Sequence, residues 1–270
     1  MKDIVSAAYY KDGRFQPKTG LTGDCSEHEI YYEVIRIKDG VPLFLTDHLQ
    51  RLDASLKNDR KMQSLLTKVR TAVSEFLIKH PVKEGNLKVL ICFKGVDFSL
   101  IVYQVAHHYP DKAMYESGVR LSCSALQRSN PMVKKWNQQM KQQVLRKKSQ
   151  QDVFEILLSD GQGRITEGSK SNVFFISGRK VITAPEHLVL PGITRQKVLE
   201  IAGVMNLEIS YKAAFCSELT QMEGAFLTGT SPKVLPVCRI DEVKFSVKSE
   251  LMKEIMKRYD DLIEAEFRKA

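Results

Sequence analysis

Residues 163–176 read Gly163-Arg164-Ile165-Thr166-Glu167-Gly168-Ser169-Lys170-Ser171-Asn172-Val173-Phe174-Phe175-Ile176. A carboxylate is followed by glycine, a short polar run and then an apolar stretch of strand character. Alone, such a segment reads as a surface turn with Ser and Asn capping. Two further turns change its weight. Leu190-Pro191-Gly192-Ile193-Thr194-Arg195 is a strand-to-helix turn. Gly192 allows close backbone approach there, and a helix start offers N–H groups to an anion. Leu227-Thr228-Gly229-Thr230-Ser231-Pro232 ends another apparent strand. Three small-residue turns are what a phosphate cradle needs, although spacing alone does not bring them together.

Outward from these turns, the second half reads as strands near 153–158, 172–176, 180–183 and 207–212, with helices near 195–205 and 248–268. The first half reads as a strand at 31–37, a turn at Asp39-Gly40 and a short strand at 42–45, which make a hairpin. A helix follows from His48. The best amphipathic helix spans 60–80, with Met62, Leu65, Leu66, Val69, Val73, Phe76 and Leu77 on one face. Strands at 87–93, 98–106 and 119–124 come next. Gln127-Arg128-Ser129-Asn130-Pro131 is a turn-rich break. It divides the chain into an N-terminal α+β domain, 1–124, and a C-terminal domain, 125–270. Strands outnumber helices without a steady βαβ rhythm, so the fold class is α+β.

Composition excludes more than it identifies. The 270 residues carry 41 Lys+Arg against 32 Asp+Glu, a formal charge of +9. Nucleic acid, an acidic membrane and a small anionic ligand all fit a basic chain. The cluster Lys134-Lys135, Lys141 and Arg146-Lys147-Lys148 has only Trp136 as an aromatic companion. Nucleic-acid sites interleave stacking residues with basic ones, so a solvated helix face is the better reading. The six histidines form no metal-ligand spacing, and P-loop, GxGxxG and GxSxG motifs are absent. No apolar run approaches the length of a spanning helix. The N-terminus shows no signal-peptide pattern, and the five cysteines are odd in number and widely spaced. They read as reduced thiols of a cytoplasmic protein.

Taken together, TEGSKSNVFF, LPGITR and LTGTSPKVLPV resemble the class IV (fold type IV) pyridoxal-phosphate enzymes. That family includes branched-chain and D-amino-acid aminotransferases and aminodeoxychorismate lyase. The likeness runs from about Tyr31 to Val247. It implies a smaller N-terminal domain, a larger C-terminal pseudo-barrel domain that binds pyridoxal 5'-phosphate, and a homodimer. It also implies site residues. Lys134 of Val133-Lys134-Lys135-Trp136-Asn137 matches the lysine that takes up the cofactor aldehyde, the Asn spacing choosing it over Lys135. Glu167 matches the carboxylate on the pyridine nitrogen. Arg51 of His48-Leu49-Gln50-Arg51-Leu52 matches a phosphate ligand, and His48 and Arg51 share a helix face. Ile193, Thr194 and Thr230 match the rest of the phosphate cradle, and Leu190 matches the residue on the ring face. No metal is implied.

The substrate side departs from the family pattern. The glycines usual before the aromatic–Glu pair are absent. The loop after strand 87–93 is shortened to Phe93-Lys94-Gly95-Val96-Asp97. Strand periodicity puts Tyr32, Val34 and Arg36 on one face. Tyr32, Arg36 and Lys94 are therefore the expected substrate contacts, Lys94 lacking the fork of an arginine. Transamination of a small amino acid/2-oxo acid pair is the leading reading, without nucleic acid or membrane as partner. A 4-amino-4-deoxychorismate lyase, which would eliminate pyruvate, remains open. A basic binding protein without chemistry is a distant third.

Overall fold

The computed structural model describes residues 3–21, 29–60 and 64–268. They fall into two compact units. The first holds Met1–His108, Val133–Trp136 and the chain from Ala265; the second holds Tyr109–Met132 and Asn137–Glu264.

The first unit is one antiparallel sheet with helices on one face. Its strands are β1 (Ala8–Lys11), β2 (Arg14–Pro17), β3 (Glu29–Lys38), β4 (Val41–Pro42), β5 (Glu84–Lys94) and β6 (Asp97–Val105), in the order β2-β1-β6-β5-β3-β4. The helices are α1 (Leu45–Arg60) and α2 (Leu66–Lys79). In β3, Tyr31, Glu33, Ile35 and Ile37 are buried while Tyr32, Val34, Arg36 and Lys38 are half-buried, the alternation of a strand with one packed face. β5 is buried along nearly its whole length, as a central strand covered on both sides must be. Leu49, Leu52 and Leu56 of α1 and Val69, Ala72, Val73 and Phe76 of α2 form helical stripes against Ile35, Leu87, Val89 and Ile91. The helix read over 60–80 begins only at Leu66, residues 61–63 lying outside the described residues.

The segment Val133–Trp136 pairs with the free edge of β3. Tyr32 N–H donates to Lys134 O at 3.1 Å and Trp136 N–H to Ile30 O at 2.8 Å. Lys134 therefore belongs to the first unit, although the sequence division put it in the C-terminal domain.

The second unit is a curled mixed sheet. In chain order it contains α3 (Lys112–Ser117), β7 (Val119–Ser124), α4 (Gln138–Gln151), β8 (Glu155–Ser159), β9 (Ile165–Gly168), β10 (Asn172–Ser177), β11 (Lys180–Thr183), α5 (Ile193–Val204), β12 (Glu208–Tyr211), β13 (Gly224–Gly229), β14 (Lys233–Ile240), β15 (Val243–Lys244) and most of α6 (Glu250–Arg268). The sheet order is β12-β11-β10-β13-β14-β7-β8-β9, with β15 on β14. β9 at the end of this path lies again against β10, so the sheet curls into a pseudo-barrel. β7, read into the first half, runs parallel to β14 and β8 here, which moves the division from Ser124 back to His108. Of the basic cluster, Lys141 and Arg146-Lys147-Lys148 lie on α4, whose one buried side chain is Val144, while Lys134 and Lys135 lie on the segment paired with β3. The α+β class is as expected.

The thiols differ from expectation. Cys92, only 2% exposed on β5, is disulfide-bonded. Cys123, Cys216 and Cys238 are free, and Cys25 lies outside the described residues. The inference of uniformly reduced cysteines therefore fails at Cys92. Among the described residues no helix is long and apolar enough to cross a membrane, and no His/Cys/Asp/Glu group could hold a metal.

Candidate active site

In the first unit, β3 turns Glu33 toward α1. Its side chain is fully buried and meets two residues one helical turn apart. Arg51 Nε donates to Glu33 Oε1 at 2.7 Å and Arg51 Nη2 to Oε2 at 2.6 Å, a bidentate pair. His48 Nδ1 lies 2.8 Å from the same Oε2. Burial pushes the Glu33 carboxyl up, but the Arg51 guanidinium and the His48 bond outweigh it and hold it well below the usual carboxylate range. Burial lowers the pKa of His48, Arg51 and Lys134 reinforcing the shift and Glu33 opposing it. His48 is thus the neutral donor to an ionised carboxylate. Glu33 escaped the sequence reading; its signal was a carboxylate at a strand position whose neighbours in phase, Tyr31, Ile35 and Ile37, are all apolar.

Lys134 is part of this surrounding. Its ammonium lies 4.8 Å from the Tyr32 ring centroid, and its backbone N–H donates to Ser55 Oγ at 3.3 Å. Lys135, by contrast, pairs with Glu29 at 2.9 Å over the Tyr31 ring. Tyr32 and Arg36 share the sheet face opposite Glu33. Lys94 is exposed at the β5–β6 hairpin.

In the second unit, Glu167 is 2% exposed at the end of β9. Arg128 Nε lies 2.8 Å from its Oε1, off the line of a good hydrogen bond, and the Leu190 N–H donates to its Oε2 at 3.0 Å. Arg128 also donates to Ser169 O at 2.8 Å. Glu155, another buried carboxylate, accepts from Ser169 Oγ, Ser171 Oγ and the Lys170 N–H, so it pins the polar turn that follows Glu167. Asn172 Nδ2 donates to Leu190 O at 2.9 Å. One chain of contacts thus runs Arg128–Glu167–Leu190–Asn172. Arg128 and Glu155 were not singled out from sequence, being isolated charges without a motif.

The second small-residue turn leads into α5. Gly192 precedes it, and no side chain caps its first turn, where Ile193 and Thr194 are buried. Thr194 Oγ1 lies 3.1 Å from Tyr259 OH. Thr230 is in the β13–β14 turn, half-buried; the hydroxyl that is buried without a partner is that of Thr228. An uncapped helix start beside an orphaned hydroxyl fits a phosphate. A Cβ at Gly192 would collide with Asn172 Oδ1. Gly192→Ala should therefore displace Asn172, loosen the Leu190 turn and weaken phosphate-ester binding at this helix start at least tenfold, read by ligand titration; unchanged affinity would remove this turn from the candidate anion site.

The model of the class IV amino-transferase family matches residues 31–240. The chain belongs to the class IV aminotransferase family. This class IV chain is 24% identical over 280 residues to a putative branched-chain-amino-acid aminotransferase of Methanocaldococcus jannaschii, covering 94% of this chain and 95% of the relative. It is 26% identical over 225 residues to D-alanine aminotransferase of Bacillus licheniformis, 78% of each. Solved structures share its fold. The branched-chain aminotransferase of Thermoproteus uzoniensis superposes with a TM-score of 0.83 at 20% identity, covering 98% of this chain and 97% of that one. The branched-chain amino acid aminotransferase of T.th., solved with pyridoxamine 5'-phosphate, gives 0.83 at 20% identity, covering 97% and 96%. A putative 4-amino-4-deoxychorismate lyase of Legionella pneumophila gives 0.77 at 19% identity, covering 87% and 91%.

Proposed function

We propose that this class IV chain is a pyridoxal-phosphate-dependent aminotransferase acting on a small amino acid/2-oxo acid pair, and that it works as a homodimer. The observation that carries the reading is Lys134, an amine held by β3 pairing next to Tyr32 and the Glu33–His48–Arg51 cluster. It sits in a chain whose family match extends on both sides of it. Bound, pyridoxal phosphate supplies an aldehyde that takes up the amino group and a ring that accepts electrons from the substrate Cα. The residues do the rest. Lys134 would hold the cofactor through its aldehyde and would move the proton to and from the substrate Cα. Arg128 and the Leu190 N–H keep Glu167 oriented as an acceptor for the pyridinium N–H. Leu190 would pack on the ring face. In the second unit the amides of Ile193 and Thr194, with the Thr230 hydroxyl, would hold the phosphate; in the first, Glu33 orients Arg51, a cation suited to a phosphate. Tyr32 and Arg36 face the substrate.

The test is a product assay on the purified holoenzyme with a panel of L- and D-amino acids, pyruvate and 2-oxoglutarate as acceptors. Amino-group transfer is the expected result. Release of pyruvate and 4-aminobenzoate from aminodeoxychorismate, with no transfer from any donor, would replace this reading by the lyase.

A further inference from the structure

Lys88 lies on β5, opposite Val34 of β3 and Tyr103 of β6. Its side chain is 4% exposed, a depth that lysine seldom reaches without a partner. Register puts it on the face of Tyr32 and Arg36, away from Glu33. The ammonium lies 4.5 Å from the Trp136 ring centroid and 5.8 Å from those of Tyr32 and Tyr103. The same Tyr32 ring carries the Lys134 ammonium at 4.8 Å. Two amines, one proposed to carry the reacting group, thus share one aromatic wall within the first unit.

A carboxylate sits on Lys88. Asp3 Oδ2 is 3.0 Å from Nζ, and the Tyr103 hydroxyl donates to Asp3 Oδ1 at 3.5 Å. The Asp3 side chain is 30% exposed, so it is the solvent-facing member of the pair. Its backbone is fixed separately, Ala106 N–H donating to Asp3 O at 2.7 Å. Rotation of one side chain would therefore vacate the cation without unpicking the sheet.

We propose that Lys88, with Tyr103 and Trp136, is the subsite for a carboxylate of the amino or oxo acid, and that Asp3 holds this place until substrate displaces it. The inference rests on the aminotransferase reading and deepens it. Every amino acid and 2-oxo acid carries a carboxylate, and burying one requires a cation. Lys94 is six residues farther along β5, roughly 20 Å at the rise of a strand, and exposed. Arg36 pairs with Asn86, one step from Lys88 on the same face, and adds a second positive charge. A lysine gives one point of attachment where an arginine gives a fork; the Tyr103 hydroxyl supplies the second contact.

Trp136 is the single tryptophan of the chain, so its fluorescence reads this subsite without turnover. The holoenzyme is titrated with succinate and, separately, with propionate. A saturable change is expected, with Kd raised at least tenfold in Lys88→Met and lowered several-fold in Asp3→Asn. A response to both acids assigns the α-carboxylate; a response to succinate alone assigns the side-chain carboxylate of a dicarboxylic substrate. Unchanged Kd values in variants that only melt earlier would make the Lys88–Asp3 pair a structural staple and overturn the proposal. If Lys88→Met does not fold, Asp3→Asn decides alone: tighter succinate binding supports the subsite, unchanged binding removes it. A silent titration on protein that still bonds pyridoxal phosphate at Lys134 defeats the subsite only, whereas loss of that bond defeats the aminotransferase reading.

Discussion

Replacing Lys134 by alanine should abolish transamination and leave the fold intact. Proton transfer by a positioned side chain is worth about 10²- to 10⁴-fold, and covalent attachment of the cofactor is lost as well, so activity should fall by at least three orders of magnitude. The substitution is benign for folding, because the β3 pairing uses the backbone of Lys134 and Val133 alone is its core residue. Borohydride reduction followed by peptide mapping gives the sharper readout. The parent should carry the reduced cofactor on Lys134, and Lys134→Ala on no lysine. Lys135→Ala should behave like the parent, since Lys135 is paired with Glu29. An adduct on Lys135, or one that survives in Lys134→Ala, would move the reacting amine elsewhere.

The second large effect concerns stability. Glu33→Gln removes the anion between His48 and Arg51 and leaves a guanidinium only 8% exposed without its counter-charge. Breaking a buried pair from one side costs about 3–5 kcal/mol. At about 2–4 °C per kcal/mol for a protein of this size, the melting temperature should drop by roughly 6–20 °C. Conversion of Glu33 to Gln with a melting point within 2 °C of the parent would show that the cluster contributes nothing net. Acid should expose the same network in two stages. Folded His48 has a pKa below its ordinary 6.5, so the unfolded chain takes up that proton first, and stability declines as pH falls below about 6.5. Folded Glu33 is depressed as well, so its contribution is complete above its ordinary 4.5 and is lost at more acid pH. His48→Gln should flatten the upper stage and leave the lower one, and Glu33→Gln should do the reverse, as followed by circular dichroism melts across pH.

What could be read from the chain was what is local to it. The strand at β3 showed its period of two, the stripe of α2 its period near 3.6, and the three turns their small residues in order. Each of those signals arises within a short run of consecutive residues, and their order along the chain is itself sequence, so they survive without tertiary context. They were enough for the α+β class and for the family resemblance, and the net charge added little, because most of it is solvated, as on α4.

What only the tertiary structure decided were pairings between distant segments. Lys134 joins the first unit because its backbone hydrogen-bonds to β3, about a hundred residues earlier in the chain. Val119–Ser124 belongs to the second because its neighbours are β8 and β14. Glu33, Arg128, Glu155 and Lys88 look like ordinary charges in sequence. Their meaning comes from burial against one particular partner, and burial is set by strand register and helix packing rather than by spacing.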